Sequence, residues 1–211
     1  MGVKERRERE KSETRDKILD AARELFITEG YEGVSMRKVA DKIEYSATAI
    51  YVHFADKEDL FRELCHQDFA RLAEVFQGAA MPLDPVERLK HIGRTYVEFG
   101  VRYPNHYKLM FMTQHPGARL DEQDLEVKGN PEVDAYAFLK LTVEQTIHAG
   151  RFRDDLKDPE LISQTLWAAV HGVISLSIAK CNDPWVEWRP MEQRVELMLN
   201  ATLRGLLKEG R

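Results

Sequence analysis

Residues 33–60 hold two short helices with three residues between them, and few folds accommodate that arrangement. Ser35 is placed to cap a two-turn helix in which Met36, Val39, Ala40 and Ile43 recur at helical spacing. Ser46 is placed to cap a second short helix that ends near His53. Two short helices with so brief a connection predict a helix-turn-helix.

The second helix sorts its side chains by role. Ile50 and Phe54, four apart, point to a core, while Ala47, Thr48, Tyr51 and Val52 form a face of small or hydrogen-bonding groups that fits a DNA groove. An ordinary surface helix carries more charge. Beyond it, Asp56 is placed to cap a further helix, and Asp59 to reach back as its capping-box carboxylate. Lys57 falls in the first turn of that helix, where a DNA phosphate can meet an ammonium and exposed amides together.

The run Ile50-Tyr51-Val52-His53-Phe54-Ala55-Asp56-Lys57-Glu58-Asp59-Leu60 resembles the tyrosine, histidine-phenylalanine and lysine signature of the TetR family of bacterial transcriptional regulators. Residues 18–26, Gly30-Tyr31 and the run from Val34 to Ala40 are similar to that family's first two helices, so the resemblance covers roughly the first 60 residues. It implies DNA contacts from Ser35, Arg37, Ser46, Ala47, Thr48, Tyr51, Val52, His53 and Lys57. One position departs: Glu44 stands in the turn where the family usually has glycine. If φ is positive there, a side chain costs up to about 1–2 kcal/mol.

The chain has 211 residues, 43% hydrophobic and 32% charged, enough for one or two domains with a real core. It shows no run of 18 apolar residues and no apolar stretch of the secretory type near its start, which gives a cytoplasmic expectation with no membrane partner. The net charge of −5 opposes nucleic-acid binding only weakly, because acids and bases balance up to Lys57 and the excess of acid lies beyond it. Cys65 and Cys181 make neither a disulfide framework nor a metal-ligand spacing. Nor do His66, His91, His106, His115, His148 and His171 cluster with other ligands, so no metal and no cofactor is expected.

Along the chain, residues 1–13 alternate Lys4, Arg6, Arg7, Arg9 and Lys11 with four glutamates, as a solvated extension of the first helix or an arm touching phosphates. The first core helix is expected over about residues 14–29, with Gly30 as its stop. The helix from Lys57 has an apolar stripe too wide for one small domain and serves as a mechanical link. Asp84-Pro85 starts another helix that breaks at Tyr103-Pro104, where a short one follows. Residues 114–130 read as an acidic surface loop, and Asn130-Pro131-Glu132 as the next helix start. The helix over 159–180 is apolar nearly all round, which suits burial against a partner, and the last helix runs over about 190–208. No segment reads as a strand, so the fold class is all-α. Residues 1–56 form the DNA-binding domain with its arm, and residues 57–211 the effector and dimerisation domain.

Within the apolar helix, the run from Leu166 to Gly172 is similar to the tryptophan-histidine-glycine motif of one group of TetR C-terminal domains, and Gly172 there lets another helix approach closely. TetR-like regulators generally hold an effector in this domain, which makes Phe99, Tyr103, Tyr107, Met110, Phe111, Phe138, Trp167 and His171 candidate lining residues; a plain helical core needs the same residue types. The expected protein is a homodimeric, non-enzymatic regulator, a repressor released by a small, largely apolar effector from a near-palindromic double-stranded operator. Its dimer seam is expected on the last two long helices, with Val195, Met198, Leu199, Thr202 and Leu206. The rivals are a thiol-based redox regulator using Cys65 or Cys181, and a helical small-molecule-binding protein or enzyme without DNA function, although no nucleophile motif or phosphate loop is present.

Overall fold

The computed structural model describes residues 2–78, 82, 84–114, 122–181 and 183–208. Ten helices occupy them: α1 (Val3–Gly33), α2 (Met36–Lys42), α3 (Ala47–Tyr51), α4 (Lys57–Gly78), α5 (Pro85–Arg102), α6 (Pro104–Met112), α7 (Glu122–Val127), α8 (Ala135–His148), α9 (Pro159–Lys180) and α10 (Met191–Leu206). The described residues contain no strand, only a single antiparallel bridge between Phe152 and Leu207. The fold is all-α.

The chain divides into two compact units, Met1–Phe69 with Asn105–Arg119, and Ala70–Pro104 with Leu120–Arg211. The first unit takes the first three turns of α4, and it takes α6 because Leu109 is fully buried among Ile18, Phe26, Val39, Ile50, Leu60 and Leu64. Each of these large side chains contributes roughly 1.5–3 kcal/mol by leaving water.

α1 begins at Val3, well before the expected start near residue 14. Exposed pairs one turn apart, Arg6–Glu10 at 2.7 Å and Arg9–Glu13 at 3.3 Å, each add a few tenths of a kcal/mol to those leading turns. Gly30, at φ 72°, breaks the helix where the sequence places the stop, and one further turn completes α1.

α2 ends in a Schellman arrangement: the Tyr45 amide donates to the Ala40 carbonyl at 2.9 Å, and the Glu44 amide to the Asp41 carbonyl at 3.3 Å. That geometry puts Glu44 at φ 60°, the one non-glycine residue with positive φ among the described residues. Glu44→Gly is therefore expected to stabilise the first unit by about 0.5–1 kcal/mol, since relief of up to about 2 kcal/mol exceeds glycine's entropic cost of about 0.5–1 kcal/mol. A denaturant midpoint that falls instead would show that the turn carries no strain.

In the second unit, Asp84 caps α5 by accepting from the Val86 and Glu87 amides at 2.9 and 3.1 Å, and Asp158 caps α9 in the same way. α9 packs on α5, α8 and α10. A Cβ on Gly93 of α5 would lie 2.6 Å from Leu199 Cδ2 of α10, so the absent side chain is what lets these helices close together.

Three expectations change here. Residues 114–130 are not all loop: Glu122–Val127 forms α7, with Glu122 and Asp124 favourably placed in the first turn, while residues 115–121 lie outside the described residues. α8 starts at Ala135 rather than at Asn130-Pro131-Glu132, because Asp134 takes the cap, accepting from Tyr136 and Ala137, while Asn130 closes a separate turn onto the Glu132 amide. Val195 and Leu199 are 5% and 4% exposed within the single chain, so they belong to its own core and not to a seam.

α9 is the one described helix long and apolar enough to cross a membrane by length and composition, yet only part of it is buried. Ile162, Leu166, Val170 and Ile174 face the core, whereas Leu161 and Leu176 are 58% and 51% exposed. The sequence's all-round apolarity thus becomes one buried face and one apolar face left in water.

Candidate functional site

The helix-turn-helix is built by its caps. Ser35 Oγ accepts from the Lys38 amide and Ser46 Oγ from the Ala49 amide, both at 3.2 Å, which fixes the starts of α2 and α3. Ile50 and Phe54 then anchor α3 inward, at 0% and 2% exposure. This leaves Tyr51 and Val52 exposed together with Ser46 and Thr48, and Ala47 half-buried at the edge. The outward face carries no charge of its own. Arg37 is also exposed, 3.9 Å from Asp41 on α2.

Two candidates behave differently from the rest. Lys57 does not stand free at the start of α4: its Nζ donates to the Tyr31 carbonyl at 3.0 Å and lies 4.2 Å from the Tyr31 ring centroid. The ammonium holds the end of α1 against α4 and lies 3.9 Å from the Glu32 carboxylate, a partly exposed ion pair that a phosphate can displace. Asp59 reaches back to the Ala55 amide at 2.9 Å and accepts the cap from one residue further upstream than expected, while Asp56 receives the Asp59 amide at 2.8 Å. His53 is half-buried, with Nδ1 lacking a partner among the described residues. Burial first, then the positive charges of Lys11 and Arg15, hold its imidazole below the ordinary value.

Behind this face the first unit contains a buried polar chain. The Arg23 guanidinium of α1 pairs with Asp68 Oδ2 of α4, and Asp68 Oδ1 meets His106 Nδ1 of α6 at 2.7 Å. Arg23 is 8% and Asp68 1% exposed. Sequence reasoning missed the chain, because residues 45 and 38 apart leave no periodic signal.

The eight effector candidates fall into separate groups. Tyr107, Met110 and Phe111 belong to the first unit, where Tyr107 is fully buried and packs on Phe111. In the second unit, Phe99 is 2% exposed and stacks near Tyr103, and Phe138 meets Phe76. Trp167 and His171 come together around a residue not singled out beforehand, Tyr96: Trp167 Nε1 donates to Tyr96 Oη at 3.0 Å, and His171 Nδ1 lies 3.5 Å from the same oxygen. Tyr136 flanks Trp167, with ring centroids 5.9 Å apart, and donates to Glu160 at 2.6 Å. Burial, then that hydrogen bond, pushes the Tyr136 phenol up to about 12, so it stays a donor at neutral pH. Polar tips thus gather on an otherwise apolar stretch of α5, α8 and α9.

Burial also lowers His171. For His53 and His171 the unfolded imidazole, near 6.5, binds protons more readily than the folded one. Their contribution to stability is complete above about pH 6.5 and is lost as pH falls below that value toward the folded pKa. Urea midpoints measured from pH 7.5 to 5.5 are expected to fall for the wild-type chain and to fall less for His171→Gln. An equal fall in both would remove His171 from the account.

Among the described residues no group of three or more His, Cys, Asp or Glu is placed to hold a metal ion. Cys65 is half-buried and Cys181 exposed, and neither is in a disulfide.

Comparison with known proteins gives the same reading from outside. Residues 18–64 match the family model of the bacterial regulatory proteins, tetR family, and residues 89–209 match the model described as tetracyclin repressor-like, C-terminal domain. The transcriptional repressor AcnR of Corynebacterium diphtheriae is 46% identical over 66 residues, which are 31% of this chain and 35% of AcnR, so the match spans about a third of that repressor. The transcriptional regulator AcrR of Shigella flexneri is 30% identical over 152 residues, 70% of each chain. A TetR family regulator of Chloroflexus aurantiacus shares the fold, with a TM-score of 0.73 at 18% identity over 94% of this chain and 95% of that one. These relatives are regulators rather than enzymes. Matched in both its helix-turn-helix and its larger helical part, the chain belongs to the TetR family of DNA-binding transcriptional regulators.

Proposed function

We propose that this regulator is a cytoplasmic homodimeric repressor that grips a near-palindromic operator through α3 and lets go when a small, largely apolar molecule binds in the second unit. The observation that carries the DNA part is the uncharged, exposed face of α3, held rigid by the Ser46 cap and the Ile50 and Phe54 anchors. Ser35, Arg37 and Lys57 stand beside it as phosphate ligands, Lys57 by exchanging Glu32 for a phosphate. The AcnR relatives are named repressors, which favours that sign of control.

The effector reading rests on Tyr96, Trp167, His171 and Tyr136, which offer hydrogen bonds from apolar helices. Trp167, 37% exposed, joins an aromatic face to an N–H donor. A ligand shifts the regulator only by its difference in affinity between the DNA-binding and released states. A library of apolar small molecules titrated against the protein–DNA complex is expected to yield compounds that dissociate it, and Tyr96→Phe is expected to weaken their effect several-fold. A library without such a compound, or compounds unaffected by Tyr96→Phe and Trp167→Phe, would place sensing elsewhere.

The dimer reading rests on the outer face of α9, where Leu161 and Leu176 are exposed and a Cβ on Gly172 would meet nothing within 4 Å among the described residues. A second copy covers such a patch. Sedimentation of Leu176→Glu is expected to show monomers where the wild type is dimeric, with folding intact.

A further inference from the structure

We propose that the leading turns of α1 form a second DNA-contacting element, in which Lys4, Arg7 and Lys11 neutralise backbone phosphates flanking the bases that α3 meets; this rests on the DNA-binding reading above. The charges of residues 4–15 are sorted by helical face. Lys4, Arg7, Lys11 and Arg15 succeed one another at steps of three or four residues, so they share one helical face, bordered by the single acid Glu8. Seven residues on from Lys11 and Arg15 the same face reaches the core at Ile18 and Ala22, with Phe26 one turn further. The basic stripe therefore prolongs the side of α1 that packs against the helix-turn-helix, and not the side turned to solvent.

The two faces also differ in pairing. Arg6 and Arg9, on the outward side, are neutralised by Glu10 and Glu13. Lys4, Arg7 and Lys11 are exposed and have no ion pair among the described residues. Like charges one turn apart, Arg7 over Lys11 and Lys11 over Arg15, each cost a helix a few tenths of a kcal/mol in water. A simple solvated extension gains nothing from such a ladder, whereas a polyphosphate surface removes its repulsion.

The Arg15 guanidinium lies 4.6 Å from the Phe54 ring centroid, just past the end of α3, and is steadied by Glu63 at 3.1 Å. Lys11 acts electrostatically on His53, at that same end of α3. From Arg15 to Lys4 the helix advances about 16 Å, at roughly 1.5 Å per residue, so the three free cations run outward from the end of the recognition helix. Phosphates carry no base identity, so such contacts add affinity and salt dependence without changing sequence preference.

The test uses the full chain and a 40-base-pair duplex that the wild-type protein selects from a random pool, titrated by anisotropy over several salt concentrations. The triple variant Lys4→Gln, Arg7→Gln, Lys11→Gln is expected to flatten the plot of log affinity against log salt by about 0.9 per cation, near three units for each bound chain. Its ranking of base-substituted duplexes is expected to match the wild type. The double variant Arg6→Gln, Arg9→Gln, on the paired face, is expected to change the slope by less than one unit. An unchanged slope in the triple variant, or an equal change per charge on both faces, overturns the proposal. The charge-keeping variant Lys4→Arg, Arg7→Lys, Lys11→Arg is expected to hold the wild-type slope; its loss there would assign the effect to helix integrity and also overturn it. If the wild-type protein selects no duplex at all, the DNA-binding reading fails first.

Discussion

Asp68→Ala is expected to lower the stability of the first unit by about 3–5 kcal/mol, a large part of what holds a small helical unit together. The carboxylate is 1% exposed and is shared between the Arg23 guanidinium and His106. Its removal leaves a guanidinium, only 8% exposed, without its counter-charge and with little water to replace it. Arg23 Nε already lacks a partner among the described residues, so no spare acceptor is at hand to take over. Exposed pairs give the contrast: deleting Arg6–Glu10 is expected to cost less than 1 kcal/mol, because water replaces what is lost. Denaturant titration followed by circular dichroism distinguishes the two, and a cost below 1 kcal/mol for Asp68→Ala would mean that the buried chain is not a structural tie. Since Asp68 joins α1 to both α4 and α6, the same variant is expected to lose DNA binding together with stability.

Val52→Glu is expected to do the opposite, abolishing DNA binding while leaving the fold intact. Val52 is 67% exposed at the end of α3 and belongs to no core cluster, so its replacement is expected to move stability by no more than about 0.5 kcal/mol. A carboxylate there faces the phosphates on either side of the groove, and like charge at an interface costs several kcal/mol. Affinity is expected to fall at least about 100-fold. Tyr51→Phe, which removes one hydroxyl, is expected to cost about tenfold or less, equally on all duplexes if that hydroxyl meets a phosphate. A Val52→Glu protein that still binds with wild-type affinity would take α3 out of the groove.

The helix-turn-helix was legible because its signals are local. Ser35, Ser46, Gly30 and the spacing of Met36, Val39, Ile50 and Phe54 each act within one or two turns, and the structure uses each of them as the sequence suggests. Glu44 was legible as a strained position for the same reason, since the turn it closes spans six residues. The second unit was legible as helices but not as faces. Val195 and Leu199 looked like partner-facing residues because periodicity gives a stripe without saying which element covers it; α5 and α9 do so in the same chain. The Tyr96 hydroxyl and the Asp68 chain stayed hidden because their partners lie 71 and 45 residues away, beyond any pattern that one helix can carry. At α8, sequence alone favours Asn130 before Pro131 as the start, whereas Asp134, four residues on, holds the cap.

The central claim is that α3 reads base sequence, and selection from a random duplex pool with wild-type and Thr48→Gln proteins tests it most directly. The account predicts that the wild type enriches a near-palindrome with half-sites about 34–36 Å apart or a small multiple of that. It also predicts that Thr48→Gln enriches the same palindrome with one base pair changed in each half-site, because an exposed glutamine on the α3 face favours adenine. Identical preferences for both proteins, or no enrichment by either, would contradict it.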